Sequence, residues 1–453
     1  MFPTEFENRM TALLGKEAPL FWQTMNEEPC RALRLDPEKI SPEELCRQLS
    51  GGLGEKCPFG LDAYFFQYEG IGNLPLHHGG AVYVQEPAAM APVAALPEMQ
   101  AGAILDLCAA PGGKSLQAAK KCLRHDGVMV CNEPYPIRRK ALMQNVERLG
   151  EKRLLVTGFD AAELPAAFFA AFDLVILDAP CSGEGMMRKD GEARERWSEE
   201  TVKSCAALQK RILKSAASAL KAGGILLYST CTWSTEENEE QIAAFLEERR
   251  DFSLISPQKE VALQAKEGFP IGGNEELKKT LRFYPHIAKG EGQFLAVLKK
   301  EGEENNLPSK KEKKKARKEK KEPYRPIAEA FLKETLGKTP EEELLFRGEE
   351  VFLVPKHSFP SELFFSPGVL LGTVQKGRLV PHHRFFMAYA AAFLRKAVLP
   401  CGDPRVEAYL RGEEIELEGK GVAVLFCEKI PLGGVKISNG RGKNLYPKGL
   451  RKK

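Results

Sequence analysis

Apolar runs of four to six residues alternate with amphipathic stretches between residues 100 and 230, and no other feature constrains the fold as strongly. Ala103-Ile104-Leu105-Asp106-Leu107 reads as a buried strand, followed by a Gly-rich turn and a helix through Lys121. Val128-Met129-Val130-Cys131 is a second strand, and Pro136 to Gly150 is a helix that Gly150 stops. Leu154-Leu155-Val156-Thr157, Phe172 to Leu177 and Gly224 to Tyr228 are further strands, the last preceded by a long helix from Ser198 to Lys221. Such alternation predicts an α/β fold: a doubly wound, mostly parallel sheet with helices on both faces. Ligands of such sheets bind beyond the C-terminal ends of the strands.

At 453 residues the chain is too long for one core. Four segments are expected: an N-terminal α+β region over 1–95, the alternating region over 96–300, a linker over 301–322, and a small domain of short strands over 323–453. Phe6, Met10, Leu13 and Leu14 give the first segment an apolar helical face, and Pro29 to Leu35 reads as a strand carrying Arg31 and Arg34. The linker cannot bury a core, since residues 310–321 hold nine Lys/Arg and two Glu. A second basic run, seven Lys/Arg and no acid, fills 436–453, while the whole chain carries only +4. Charge gathered this way suits a polyanion such as nucleic acid, although a solvated linker and a frayed tail have the same composition.

Eleven cysteines with no C-x-x-C argue against structural zinc, and no metal is expected. The first residues lack the pattern of a signal peptide, and the longest uncharged apolar run, Phe385 to Leu394, is too short for a bilayer. Free thiols suit a reducing cytoplasm, which is the expected location.

The turn Asp106-Leu107-Cys108-Ala109-Ala110-Pro111-Gly112-Gly113-Lys114-Ser115 nearly matches the phosphate-binding pattern G-x-x-x-x-G-K-[ST]. Cys108 stands where the first Gly belongs, and Pro111 removes a backbone donor, so a triphosphate cradle is a weak reading. A nucleoside without phosphates asks instead for close backbone approach, which Ala109, Ala110, Gly112 and Gly113 permit. It also asks for an acid at the end of the second strand. Glu133 stands there, 20 residues beyond Gly113. Asp160 ends the third strand and Asp178 the fourth. Any one of these acids alone is more often a cap or turn residue. Three above one Gly-rich turn favour a ligand with hydroxyls, an amine and a cationic centre, and S-adenosylmethionine has all three.

Asp178-Ala179-Pro180-Cys181-Ser182-Gly183-Glu184-Gly185 follows the fourth strand, and Ser229-Thr230-Cys231-Thr232 the fifth. A thiolate adding to carbon 6 of cytosine makes carbon 5 nucleophilic toward a methylsulfonium, and a second thiol can assist the later elimination. Asp178 is placed to hydrogen-bond the base edge. Ser234-Thr235-Glu236-Glu237 predicts a capping box opening the next helix, whose N-terminus would lower a nearby thiol's pKa. The remaining cysteines read as small core residues. Cys108 is expected to give backbone contacts in the cofactor turn. On spacing alone Cys181 and Cys231 are interchangeable.

With these residues laid out, the chain resembles the Nop/Sun (Fmu) family of RNA cytosine-5 methyltransferases. The turn from Asp106 to Lys114, the Pro180-Cys181 segment and the Thr230-Cys231 segment carry the likeness. So do His77-His78, Gln85-Glu86-Pro87-Ala88, Arg282-Phe283-Tyr284-Pro285-His286 and Gly290-Glu291-Gly292-Gln293-Phe294, where many relatives have an aromatic at Gln293. The resemblance implies a Rossmann-like S-adenosylmethionine-dependent methyltransferase core. It implies cofactor contacts from Cys108, Ala109, Ala110, Pro111, Gly112, Gly113, Lys114, Glu133, Asp160 and Asp178. It makes Cys231 the nucleophile and Cys181 the residue assisting release. Gly183 to Asp190 and Lys443 to Arg451 resemble the branch acting on bacterial 16S ribosomal RNA. That branch implies an RNA-binding N-terminal region, with Arg31 and Arg34 as candidates, and a C-terminal PUA-like β-barrel. The implied partner is RNA, 16S rRNA ahead of tRNA, and a monomer is expected.

Overall fold

The computed structural model describes residues 2–302 and 322–452, so the basic run at 310–321 lies outside the described residues. A nine-stranded sheet forms the centre. Its strands are β1 (Ala101–Asp106), β2 (Leu123–Asn132), β3 (Leu154–Thr157), β4 (Phe172–Asp178), β5 (Leu220–Thr230), β6 (Phe252–Leu254), β7 (Lys266–Glu267), β8 (Leu281–Phe283) and β9 (Gln293–Lys300). They run in the order β3-β2-β1-β4-β5-β9-β8-β7, with β6 also paired to β9. The first five are parallel to one another, and β6 to β9 pair antiparallel. Strand order reverses between β1 and β4, so a crevice opens above their C-terminal ends.

The apolar runs are continuous because helices cover both faces of the sheet. Successive side chains face opposite sides. Ile104, Leu174, Ile176 and Leu227 join one core, with helices Pro87–Ala94, Gly113–Cys122 and Pro136–Leu149. Leu105, Val175, Leu177 and Leu226 join the other, with helices Glu199–Ala219 and Glu239–Glu248. Gly150 ends its helix as expected, at φ 74°, and its N–H bonds the Glu147 carbonyl.

The N-terminal region has two helices, Thr4–Leu14 and Ala18–Met25, ahead of a four-stranded antiparallel sheet that includes Ala32–Leu35 and Val82–Gln85. Beyond the linker, the region expected as one small domain contains two sheets. One is a four-stranded meander from Glu343–Arg347 to Arg378–Pro381; the other has five strands, among them Gly421–Cys427 and Ile430–Ser438. The apolar run Phe385 to Leu394 forms a short helix and turn whose Phe385, Phe386, Tyr389 and Phe393 are buried in the core of this region, while Leu394 is exposed. Among the described residues no helix is long and apolar enough to cross a membrane.

Neither C-terminal sheet stands apart. Phe359 and Phe364 enter the second central core. Ser366 pairs with Val156 at the β3 edge, through bonds of 2.8 and 3.1 Å. The five-stranded sheet shares a core with the N-terminal sheet, so Leu33, Ile40 and Leu45 pack with Tyr409, Leu425 and Tyr446.

Candidate active site

β1 ends on Asp106, whose buried carboxylate accepts from the Cys108 N–H at 3.2 Å and the Ser115 hydroxyl at 2.6 Å. It thereby ties together the two ends of the Gly-rich turn. Burial pushes Asp106 up to about 7. Burial also drives the Cys108 thiol well up, which removes it from thiolate chemistry. The Ala110–Pro111 peptide is cis. Arg138 donates to the Ala110 carbonyl at 3.1 Å and Asn145 to the Pro111 carbonyl at 2.9 Å, so the helix after β2 grips the turn.

Glu133 ends β2. Its Oε1 accepts from the Tyr135 N–H, while Oε2 is buried with no hydrogen-bond partner, 3.6 Å from Arg138. A buried carboxylate oxygen without a donor is costly, and a ligand hydroxyl relieves that cost. Asp160, at the end of β3, is exposed and accepts from the Ala162 N–H at 2.9 Å. Asp178, at the end of β4, accepts from the Ser229 hydroxyl at 2.8 Å and pairs with Lys114 at 2.9 Å. Burial opposes the charge on Lys114, but Asp178 and then Cys231 hold its pKa above the ordinary value. The turn, Glu133, Asp160 and Asp178 fit a nucleoside bearing a cationic centre, as S-adenosylmethionine does.

Asp178 lies opposite Ser229 in the β4–β5 register, which sets the two cysteine loops side by side. The Cys181 and Cys231 sulfurs are 3.3 Å apart. The Gly185 N–H donates to the Cys231 carbonyl at 2.9 Å. Glu184 is buried and accepts from the Thr232 hydroxyl, the Trp233 and Ser234 N–H groups, the Ser234 hydroxyl and the Trp197 indole, at 2.6–3.0 Å. Because Thr232 gives its proton to Glu184, it accepts from Ser182 at 2.8 Å. Glu237 accepts from the Ser182 N–H at 3.0 Å and from Gln209 at 2.8 Å, and Gln209 also donates to the Pro180 carbonyl at 2.9 Å. Glu237 and Gln209 thus bracket Cys181. Burial pushes Glu237 up to about 7. The hydrogen bond to Cys231, and then burial, raise the Cys181 thiol well above its ordinary value.

Three expectations change. The capping box does not form: Ser234 bonds Glu184 and Glu237 bonds Ser182, so Thr235–Glu237 is a 3-10 turn and the helix starts at Glu239. Glu184 takes both Ser234 donors, while Ser182 and Gln209 occupy the Glu237 carboxylate, so neither capping partner is free. Arg34 is not open to RNA, because it lies over Tyr83 and donates to the Gly113 carbonyl at 2.9 Å, supporting the Gly-rich turn. Arg31 is exposed but paired with Glu69 at 2.9 Å. The N-terminal helices, expected only as part of an RNA-binding region, back the site. Phe6 and Phe21 pack on Trp233, two residues beyond Cys231. Arg282 pairs with Glu239 and donates to the Trp233 carbonyl. Trp233 lies so close to Gly292 that a Cβ there would come 2.3 Å from its ring.

Sequence reasoning missed Glu184, Glu237 and Gln209. An acid between Gly183 and Gly185 in a strand-end loop was a visible signal for the first. Gln209, in mid-helix, gave none.

The N-terminal domain of 16S rRNA methyltransferase RsmF matches residues 2–87, and 16S rRNA methyltransferase RsmB/F matches 93–299. The RsmF rRNA methyltransferase first C-terminal domain matches 330–389, and the methyltransferase RsmF PUA domain matches 396–452. The two C-terminal sheets fall into these two separate matches. A ribosomal RNA small subunit methyltransferase F from Shewanella sp. (strain MR-7) is 32% identical over 93% of this chain and 91% of its own. Its counterpart from Erwinia tasmaniensis is 30% identical over 99% and 96%. Among solved structures, a methyltransferase homologue from Pyrococcus horikoshii is 29% identical with TM-score 0.57, over 66% of this chain and 95% of its own. NSun6 from the same organism, solved with SFG, shares the fold at 22% identity and TM-score 0.56, over 67% and 99%. With such identity across nearly the whole of both chains, this protein belongs to the ribosomal RNA small subunit methyltransferase F family, which draws its methyl group from S-adenosylmethionine.

Proposed function

We propose that the chain methylates carbon 5 of a cytosine in 16S rRNA, with Cys231 as nucleophile and Cys181 as the residue that assists release. The observation that carries this reading is the pair of sulfurs 3.3 Å apart beside Asp178 and Lys114, at the switch point of the sheet. The Cys231 thiolate adds to carbon 6, and the electrons of the 5,6 double bond pass to carbon 5. Asp178 hydrogen-bonds the base edge, with Ser229 and Lys114 orienting its carboxylate. When bound, S-adenosylmethionine supplies the electrophilic methyl group for carbon 5. The carbon-5 proton then leaves to a solvent base, the double bond reforms, and the carbon 6–sulfur bond breaks. The protonated Cys181 donates to the departing Cys231 sulfur and stabilises it as a leaving group.

Cys108 to Lys114, Glu133, Asp160 and Asp178 hold the cofactor in this reading. Residues 1–95 and 323–453 grip RNA on either side of the catalytic region 96–300, the target base leaves its stack to reach Cys231, and the enzyme acts as a monomer in the cytoplasm. Bisulfite sequencing of ribosomal RNA from a strain lacking the gene tests the target. Loss of one or more 16S 5-methylcytosines supports it; an unchanged 16S pattern, with loss in tRNA instead, redirects the chemistry to another RNA.

A further inference from the structure

We propose that Tyr135, Arg139 and Phe365 form a ledge on which unpaired nucleotides of the RNA substrate stack, a few nucleotides from the target base; this rests on the RNA methyltransferase reading. The ledge joins two parts of the chain. Tyr135 and Arg139 are one turn apart at the start of helix Pro136–Leu149, so they share a face. Phe365 comes from the C-terminal region, and the Ser366–Val156 pairing together with the Thr157 hydroxyl bond to the Leu363 carbonyl sets it at the C-terminal end of β3.

The Arg139 guanidinium lies 5.2 Å from the centre of the Phe365 ring. Bonds to the Glu133 and Pro134 carbonyls, at 2.9 and 3.2 Å, fix it. Gly158 makes room for it, since a Cβ there would come 2.3 Å from Arg139 Nη1. Although Arg139 is held this firmly, the rings beside it are open: Tyr135 is 62% and Phe365 63% exposed, and neighbouring Ile137 is 87% exposed. Arg138 is also exposed here, and Arg347 backs Phe365 through the Phe364 carbonyl.

Aromatic rings left in water cost free energy, and rings interleaved with arginine are what single-stranded nucleic acid stacks on. The guanidinium, oriented by two carbonyls, adds charge for the phosphates and a planar surface for bases. The ledge lies at β3, and Cys231 follows β5, four strand spacings or about 19 Å away. A stacked base at the ledge is therefore a neighbour of the target, not the target.

The test uses the full chain and a 16S rRNA fragment that the wild type binds. RNA affinity is read by filter retention and cofactor affinity by calorimetry. Phe365→Ala should weaken RNA binding about five- to 150-fold, and Tyr135→Ala by a similar factor. Phe365→Trp should restore it, while S-adenosylmethionine affinity and kcat at saturating RNA stay unchanged. Unaltered RNA affinity in Phe365→Ala overturns the proposal. So does a loss that Phe365→Trp fails to rescue, or a Tyr135→Ala effect confined to the cofactor. Wild-type protein that binds this RNA but methylates no RNA at all overturns the functional reading instead, since filter retention needs no turnover.

Discussion

Glu184 collects five donors from the loop that follows Cys231 and from Trp197, with its side chain fully enclosed. Glu184→Ala strands several of them without water, and should cost on the order of 3–5 kcal/mol in denaturant unfolding. Glu184→Gln, which keeps the shape but loses the charge, should cost less. Glu237 and Asp106 have a different consequence. Both carboxyls sit near 7 in the folded chain because burial disfavours their charge, whereas in the unfolded chain they titrate near 4. At these two carboxyls the folded state then binds more protons than the unfolded state across that window, so their contribution to stability falls as pH rises from about 4 to about 7 and levels off above it. The buried His77, His78, His382 and His383, whose imidazoles burial holds well below the ordinary value, contribute with the opposite sign. Comparing melting temperatures of Glu237→Gln and the wild type isolates the carboxyl: the variant, neutral throughout, should gain stability relative to the wild type as pH rises through this range.

The elements were legible where local rules decide them. The five parallel strands, the Gly150 stop and the Gly-rich turn follow from apolar period and backbone chemistry that a few neighbouring residues specify. The failures came where distant groups compete. Ser234 and Glu237 had the spacing of a capping box, but Glu184, about 50 residues earlier, took the first, and the loop of Cys181 took the second. Arg34 looked like a surface charge on a half-buried strand, and only the docking of that strand on the catalytic sheet turns it toward Gly113. Gly292 illustrates the same limit. Nothing beside it in the sequence signals its role, yet it is the clearance for Trp233. Gly292→Ala should push that ring against Phe6 and Phe21 and displace the Cys231 loop. A loss of kcat beyond the overpacking cost of about 1–3 kcal/mol in stability, with Trp fluorescence altered, is the expected result.

At the scale of the whole molecule, the two ends of the chain meet. Tyr446, in a C-terminal segment read from sequence as a basic RNA-binding tail, is buried against His78, with a 2.8 Å bond between its hydroxyl and the imidazole. No local pattern announces such a contact, which is why the shared core of the N-terminal and five-stranded sheets could not be read in advance. Removing residues 396–452 should therefore raise hydrogen exchange in strand Ala32–Leu35, which would lose Tyr409, Leu425 and Tyr446 as core neighbours. An unchanged exchange rate there would show that the N-terminal sheet stands alone. The assembled molecule is also what the central claim needs, because the ordering of the two cysteines shows only when RNA, cofactor and both loops are in place. Cys181→Ala protein incubated with 16S rRNA and methyl-labelled S-adenosylmethionine, then resolved on a denaturing gel, tests it most directly. With Cys231 attacking and Cys181 assisting release, a labelled protein–RNA adduct should accumulate in Cys181→Ala and none should form in Cys231→Ala. An adduct with Cys231→Ala, or lost activity without any adduct in Cys181→Ala, would contradict that order.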